Sequence, residues 1–432
     1  MNTQTVVIVG GGFAGSRLAA ELEKRLPESW SIRLLSSDNF ITYNPLLPEV
    51  VGASLLPGHV VAPLRQVTRR TEVSMVHVTG IDLEARLVHY LGEGSGTIAY
   101  DHLVLACGQS ANLAIVKGMA RYALPLKTLG DALFLRNRAI VRLEQAELQS
   151  DPELRRWLTS FVVIGGGFSG VEVAGELADF LRSSRRYYRS IDDVRVRLVH
   201  SGERLLPELS ASLGEFALRK MVQQGIEVHL NARATRVDAG GVYLDTGETL
   251  PAGTIICTIG TAPNPLIASL PVPKGRGRIE VNADMSVPGT GNVWAIGDCA
   301  AVPNASHGNV SPPTAQFADR QGRQLALNIA RVTRGEPTRP FSYEPIGQLS
   351  AIGHNKAVAE IFRFKVAGFV AWLLWRGVYL LKMPTLNRRV RLFLEWNWAM
   401  FFPPDISHLG FTRTRRMART LPDSPTETRK AA

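Results

Sequence analysis

Cysteine is scarce in this chain. Its 432 residues include three, Cys107, Cys257 and Cys299, and no two stand in a CxxC pair. Such spacing offers neither a dithiol redox centre nor a zinc knuckle, so no metal site is expected, and free-thiol usage fits a reducing compartment. A long uninterrupted apolar run is also missing. The most apolar stretch is RFKVAGFVAWLLWRGVYLLKMP (363–384), and Arg376 interrupts it. Its core, Val366 to Leu381, would span ~24 Å as a helix against a hydrocarbon thickness of ~30 Å, which argues against a transmembrane span. No secretory leader is expected, because the strand TVVIVG (5–10) begins almost at once. Acidic residues are outnumbered, leaving a net charge of +11. That excess suits nucleic acid or anionic lipid. Arginines gather near 182–189, 388–391 and 413–419; the last two groups flank a Trp- and Phe-rich region, and no nucleic-acid motif accompanies them. The expected partner is a lipid surface, not nucleic acid.

Glycine is plentiful. TVVIVGGGFAG (5–15) is an apolar strand running into Gly10-x-Gly12-x-x-Gly15, followed by the helix-like RLAAELEKRL. Gly10 suits a tight turn, Gly12 a close backbone approach to a pyrophosphate, and Gly15 close packing of helix on strand. The pattern returns in FVVIGGGFSG (161–170) as Gly165-x-Gly167-x-x-Gly170, before VEVAGELADFL. Two complete fingerprints imply two dinucleotide sites, one for a bound cofactor and one for an exchanging cofactor. A third mark, NVWAIGDCA (292–300), ends a strand at Gly297-Asp298. The Asp298 carboxylate suits the ribityl hydroxyls of FAD; its other reading is a helix N-cap.

The order of these marks is that of a flavin domain interrupted by a nicotinamide domain. The expected fold is α/β, with two Rossmann-like dinucleotide-binding domains and a C-terminal helical membrane-association region. The FAD domain takes 1–115 and 275–345, a helical connection 116–157, and the NAD(P)H domain 158–274. The membrane-association region takes 346–410, and 411–432 is a basic, disordered tail.

The carboxylate that usually holds a ribose hydroxyl at the end of the second strand is missing from both units. SIRLLSSDNF (31–40) places Ser36 there, with Ser37 next; VRVRLVHSGERLLP (194–207) places His200 there. His200 and nearby Arg204 would not repel a 2′-phosphate, which leaves NADPH open beside NADH, and His200 also reads as a tolerated edge residue. Glu172 and Glu176, four apart in GVEVAGEL, share one helix face. PPTAQFADRQG (312–322) stops the chain at Pro312-Pro313, offers Thr314 as an N-cap, and opens a helix with Phe317, Leu325 and Ile329 on one face. A helix start presents free N–H groups and the positive end of a dipole.

On NPLLPEVVGA (44–53), FVVIGGGFSGVEVAGEL (161–177), NVWAIGDCA and PPTAQFADRQG, the chain resembles the two-dinucleotide-binding-domain flavoproteins. Within them it resembles type II NADH dehydrogenase, the non-pumping NADH:quinone oxidoreductase, to about residue 410. The resemblance implies FAD contacts at Gly10, Gly12, Phe13, Ala14, Gly15, Ser36, Ser37, Val78, Gly108, Gly297, Asp298, Ala315 and Gln316. For NAD(P)H it implies Gly165, Gly167, Phe168, Gly170, Glu172, His200 and Gly260. It points to Glu172 at the nicotinamide–flavin contact, where a carboxylate orients the nicotinamide or relays a proton; stabilising its own helix start is the other reading. Gln316 lines the quinone pocket on this view, or is only a polar residue at a helix start. Arg320 and Gln321 occupy the next turn, a stretch that in relatives often carries glutamines.

In the C-terminal region Lys365, Trp372, Trp375, Arg376 and Tyr379 share one helical side, the one a headgroup layer favours; Val370, Leu373, Leu374, Val378 and Leu381 lie on the other. In TLNRRVRLFLEWNWAMFF (385–402), Leu386, Val390, Phe393 and Met400 gather opposite Arg388, Arg391 and Glu395. Two such helices suit a plate on the cytoplasmic face of the cell membrane; a homodimer interface or a domain core is the alternative. Rival activities are a sulfide:quinone reductase, which needs a partner cysteine that the spacing does not offer, a soluble NAD(P)H oxidase or small-acceptor reductase, and a slow redox sensor that binds flavin and nucleotide.

Overall fold

In the computed structural model, which describes residues 3–410, the strand Thr5–Val9 is buried on both sides and lies at the centre of a five-stranded parallel sheet. Its neighbours are Ser31–Ser36 and His102–Leu105, with Glu72–Met75 and Val293–Ala295 at the edges. A continuous Val/Ile run is what a strand buried on both faces requires. Helix α1 (Phe13–Leu22) follows the first strand, and the short helix α2 (Leu47–Val51) packs against the helices Leu129–Glu147 and Phe168–Arg185.

The inserted unit repeats this design. Ser160–Ile164 is central, flanked by Arg195–Val199 and Ile226–His229 on one side and Thr254–Cys257 on the other, all parallel. Ala123–Pro125, inside the expected helical connection, pairs at the far edge of this second sheet. The rest of that connection is helical, over Leu129–Glu147 and Pro152–Leu158. Helix α3 (Phe168–Arg185) follows the central strand as α1 does in the first unit.

The chain then returns to the first sheet and enters α4 (Ala315–Val332), which packs on α1. Gly322 is required at that crossing, since a Cβ there would stand 2.5 Å from the Ala14 carbonyl oxygen.

The C-terminal region is a three-stranded antiparallel sheet, Gly347–Ala351, Ala357–Ile361 and Phe364–Gly368, followed by α5 (Phe369–Lys382) and α6 (Leu386–Phe401). Lys365 therefore lies on a strand, not on the helical face expected for it. The orientation of α5 is also the reverse of the expected one. Trp372, Trp375 and Arg376 are 2%, 1% and 8% exposed, packed against the body of the protein, while Phe369, Val370, Leu373, Leu374 and Leu381 are 38–70% exposed. The physical reason is Arg376: its guanidinium lies 3.6 Å over the Trp372 ring and has buried carboxylates as electrostatic partners. Met383, Leu392 and Trp396 fill the inner side of the pair, whereas Leu386, Val390, Phe393, Leu394, Trp398 and Phe401 of α6 face outward. No helix among the described residues is long and apolar enough to cross a membrane. The expected tail 411–432 lies outside the described residues.

Candidate functional site

Three helix starts meet at one cleft. Gly12 precedes α1, Gly167 precedes α3 and Thr314 precedes α4, and none contributes a side-chain cap to its helix. Thr314 is thus the N-cap by position only, and the first N–H groups of all three helices stay free for a ligand. The cleft has a volume of about 1980 Å³, and its wall includes Gly11 to Ala14, Phe168 and Ser169, and Thr314 to Phe317.

The glycines divide their work as their spacing predicts. A Cβ on Gly15 would stand 1.9 Å from the Gly10 carbonyl oxygen, and one on Gly170 would stand 1.7 Å from that of Gly165. Gly10 and Gly165 hold positive φ, +113° and +125°. A Cβ on Gly12 would meet nothing within 4 Å, so this position keeps a face open toward the cleft. Such a cradle fits the pyrophosphate of a dinucleotide. Ser36, Gly108, Gly297 and Asp298 line the same cleft. The Asp298 carboxyl is pushed up by burial, against the pull of Lys127 and Arg278.

Other expected residues sit elsewhere. Ser37 is exposed and lies 3.4 Å from the Nδ1 of His77. The Val78 side chain is buried beside the second strand, and Gly260 packs on Ile115. Gly165, Gly167 and Gly170 form the inserted unit's own glycine loop and His200 follows its second strand; these four border the α3 start without lining the cleft themselves. The Nδ1 of His200 accepts the Gly166 N–H at 3.2 Å. An N–H can only donate, so this ring nitrogen is unprotonated, and burial holds the imidazole below its ordinary pKa. His200 thereby ties its strand end to the glycine loop.

Gln316 is fixed at both ends of its amide: its Nε2 donates to the Gly347 carbonyl at 3.0 Å, and the Tyr343 hydroxyl donates to its Oε1 at 3.0 Å. Arg320 lies over the Tyr343 ring at 5.4 Å. Gln321 is buried and accepts the Gly297 N–H at 2.8 Å, so the second amide of the motif anchors the Gly-Asp turn.

Glu172 is 5% exposed, yet it lines the cleft. Its carboxyl accepts the Ala351 N–H at 3.2 Å, so it bonds the C-terminal sheet and not its own helix start. Burial pushes it up to about 8, with Glu49 adding to the rise and the bonds from Ala351 and Ser350 opposing it. Glu176 accepts the Ser54 hydroxyl at 2.9 Å and is also raised to about 8 by burial. Glu49, Lys382 and Arg389 were not expected at the site, and Tyr379, expected on the headgroup side of its helix, lines the cleft instead. The signal for Glu49 was available: an arginine inside an apolar helix needs a buried acid, and Glu49 is the acid inside the apolar PLLPEVV.

The cysteines also differ from expectation. The Cys107 and Cys299 thiols are electrostatic neighbours, Cys299 raising the pKa of Cys107 and Cys107 lowering that of Cys299. The two meet because Cys107 follows one strand of the first sheet and Cys299 follows its neighbour, a proximity that sequence distance hides. Cys299 is 1% exposed and points at the Leu105 and Ile296 carbonyl oxygens.

Residues 4–322 match the pyridine nucleotide-disulphide oxidoreductase family, and residues 346–403 match the NDH2 C-terminal domain. The type II NADH:quinone oxidoreductase Ndh of Mycobacterium tuberculosis is 31% identical over 435 residues, covering 96% of this chain and 92% of that protein. The demethylphylloquinone reductase NdbB of Synechocystis sp. is 30% identical, covering 90% and 95%. The solved structure of an NDH2 from Plasmodium falciparum in complex with NADH shares the fold, with a TM-score of 0.86 over 94% of this chain and 100% of that one at 19% identity. The chain belongs to the pyridine nucleotide-disulphide oxidoreductases and, within them, to the type II NADH:quinone oxidoreductases.

Proposed function

We propose that this protein is a peripheral-membrane flavoprotein that oxidises NADH and reduces a membrane quinone through FAD, without pumping protons. The observation that carries the reading is the convergence of three uncapped helix starts on one cleft, with Tyr379, Lys382 and Arg389 of the C-terminal region on its wall. Bound FAD supplies a hydride acceptor that returns electrons in pairs. The free N–H groups of α1 hold its pyrophosphate and Asp298 its ribityl hydroxyls. Ala315 is small enough to let the α4 N-terminus approach the flavin ring, where the helix dipole favours negative charge. The α3 start seats the donor's pyrophosphate. Gln316, fixed by Tyr343 and Gly347, presents its amide where the acceptor arrives. Glu172, with its pKa near 8, carries a proton at neutral pH and can give it to the acceptor.

The outward faces of α5 and α6 supply the membrane contact. Leu373, Leu374, Leu381, Leu386, Phe393 and Phe401 form an apolar surface, beside Arg389 and Arg391, and this suits the lipid of a cytoplasmic leaflet. A homodimer on the same face is the competing occupant. A sulfide:quinone reductase is disfavoured because Cys299 turns its sulfur into the sheet instead of the cleft.

Anaerobic stopped-flow absorbance tests the reading, with NADH, then NADPH, then a short-chain quinone. Flavin bleaching by NADH and recolouring by quinone is the expected result, and the NADPH arm reads the effect of a ribose site without a carboxylate. Bleaching with no quinone-driven recolouring would leave a flavin reductase and remove the quinone assignment.

A further inference from the structure

The acceptor end of the cleft is rich in cations. Arg320 stands four residues after Gln316 on α4, so the two side chains share one helix face. Its guanidinium lies 5.4 Å over the Tyr343 ring, and the Tyr343 hydroxyl donates to Gln316. Arg320 is thereby held beside the amide that faces the acceptor. Across the cleft, the turn between α5 and α6 brings Lys382 and Arg389 to the wall. Arg389 is fixed by the turn itself: its Nε and Nη2 donate to the Met383 and Leu381 carbonyls at 2.8 and 2.9 Å. The Tyr43 hydroxyl donates to the Lys382 carbonyl at 3.3 Å and ties that turn to the first unit.

Asp319 is the carboxylate of this group, and it is shared. Arg17 of α1 approaches it at 3.5 Å and Arg320 at 3.9 Å, and it is also a charged neighbour of Lys382. Arg17 divides itself further, lying 4.0 Å from Glu21. Among the described residues, Lys382 and Arg389 belong to no ion pair. Glu172, a carboxyl of the same cleft wall, carries a proton at neutral pH because burial raises it to about 8, and so offsets none of this charge. The free N–H groups of the α4 start add to the positive side. Four cations against one shared carboxylate leave a surplus of positive charge. Such a surplus repels itself, and a ligand with negative charge relieves it.

Quinone becomes quinol by taking two electrons and two protons, and its oxygens carry negative charge until the protons arrive. Fixed cations at the rim favour that charge. A quinone with an acidic ring hydroxyl carries it already on arrival. We propose that Arg320 is a specificity-determining residue of the acceptor site, with Lys382 as its companion cation, and that the site prefers acidic hydroxyquinones, in their anionic form, to neutral quinones of the same size. The preference rests on the quinone-reductase reading and adds to it the charge of the acceptor. Glutamine at position 320 would offer a hydrogen bond without charge, whereas arginine offers both. Arg389, with two of its nitrogens committed to the turn, contributes its field and not a contact.

The test is isothermal titration calorimetry on oxidised, lipid-free holoprotein in neutral detergent. The probes are lawsone, a naphthoquinone whose hydroxyl is ionised at neutral pH, and menadione, its neutral methyl analogue. The parent should bind lawsone at least about tenfold more tightly than menadione at low salt, and the difference should shrink as salt screens the rim. Arg320→Gln should weaken lawsone about tenfold and menadione by less than about twofold, while Arg320→Lys should keep most of the preference. Asp319→Asn removes the shared carboxylate and should tighten lawsone about threefold, a gain that a damaged fold does not produce. Lawsone affinities in Arg320→Gln and Asp319→Asn equal to the parent's would overturn the proposal. So would an Arg320→Gln protein that loses binding to anionic vesicles while its lawsone affinity is unchanged, since the charge would then serve lipid headgroups. Equal affinities for the two probes in a parent whose flavin quinone recolours would overturn the preference and leave the quinone reading standing. A parent that NADH bleaches and no quinone recolours removes both.

Discussion

Gly12 and Gly15 differ by three positions and are expected to fail in different ways. A methyl on Gly15 collides with the Gly10 carbonyl oxygen, so Gly15→Ala should cost the strand–helix turn itself and leave little folded protein. A methyl on Gly12 meets no protein atom and projects where the pyrophosphate must approach. Gly12→Ala should therefore fold, with a melting temperature close to that of parent apoprotein, and lose most of its flavin. The flavin-to-protein absorbance ratio, measured beside far-UV circular dichroism, separates the two. Glu172 makes a different prediction, because it acts through its proton. With a pKa raised by burial to about 8, its protonated fraction falls as pH rises through that value. Quinone-dependent kcat in the parent should fall over the same range. Glu172→Gln should lower kcat about a hundredfold and remove that limb of the profile, while bleaching by NADH changes little. A variant that keeps the parent's alkaline limb would assign it to another group.

At the scale of elements, the strand–Gly–helix turns were legible because each requires glycine at fixed offsets, for backbone reasons that leave no choice of residue. The uncapped start of α4 was legible for a similar reason: two prolines stop the chain and a small residue opens the helix. The orientation of α5 was not. Its hydrophobic period fixed two faces but not their sense, since tryptophan and arginine suit a headgroup layer and also suit a buried cluster with carboxylates. The deciding partner, Glu49, stands more than three hundred residues away in sequence. With the sense now known, Leu373, Leu374 and Phe393 face outward at 50%, 38% and 52% exposure. Replacing all three by serine should cut binding to anionic vesicles by about tenfold or more, since each exposed leucine or phenylalanine contributes roughly 1.5–3 kcal/mol on burial. Activity with a soluble short-chain quinone should stay near the parent's. Co-sedimentation and steady-state rates measured on the same preparations check both halves. The opposite substitution, Arg376→Met, acts on the inner face and should loosen the helix pair without altering the outer surface.

For the whole molecule, the buried carboxyls link stability to pH. Glu49, Glu172 and Glu176 have folded-state pKa values near 7, 8 and 8 against 4.5 for a free side chain. Burial is the main cause in each. Between those limits the folded protein keeps protons that the unfolded chain has shed. Their contribution is therefore fully present below about pH 4.5 and is lost as pH rises toward 8. Four histidines, His102 buried and the other three half-buried, act in the opposite direction. His59, His102, His200 and His354 are all held below the ordinary 6.5 by burial, so they weaken the fold only in acid and are neutral in both states above that value. The two groups cancel in part below pH 6.5. Above it only the glutamates still titrate, so holoprotein should melt several degrees lower at pH 8 than at pH 6.5. Glu176→Gln keeps the shape and the Ser54 contact but has no proton to lose, and one of the two largest contributions to the slope disappears with it. The variant should gain on the parent as pH rises, and paired thermal melts at the two pH values measure the difference. An unchanged difference between the two proteins across that range would mean that Glu176 is already ionised in the fold, compensated by Arg376.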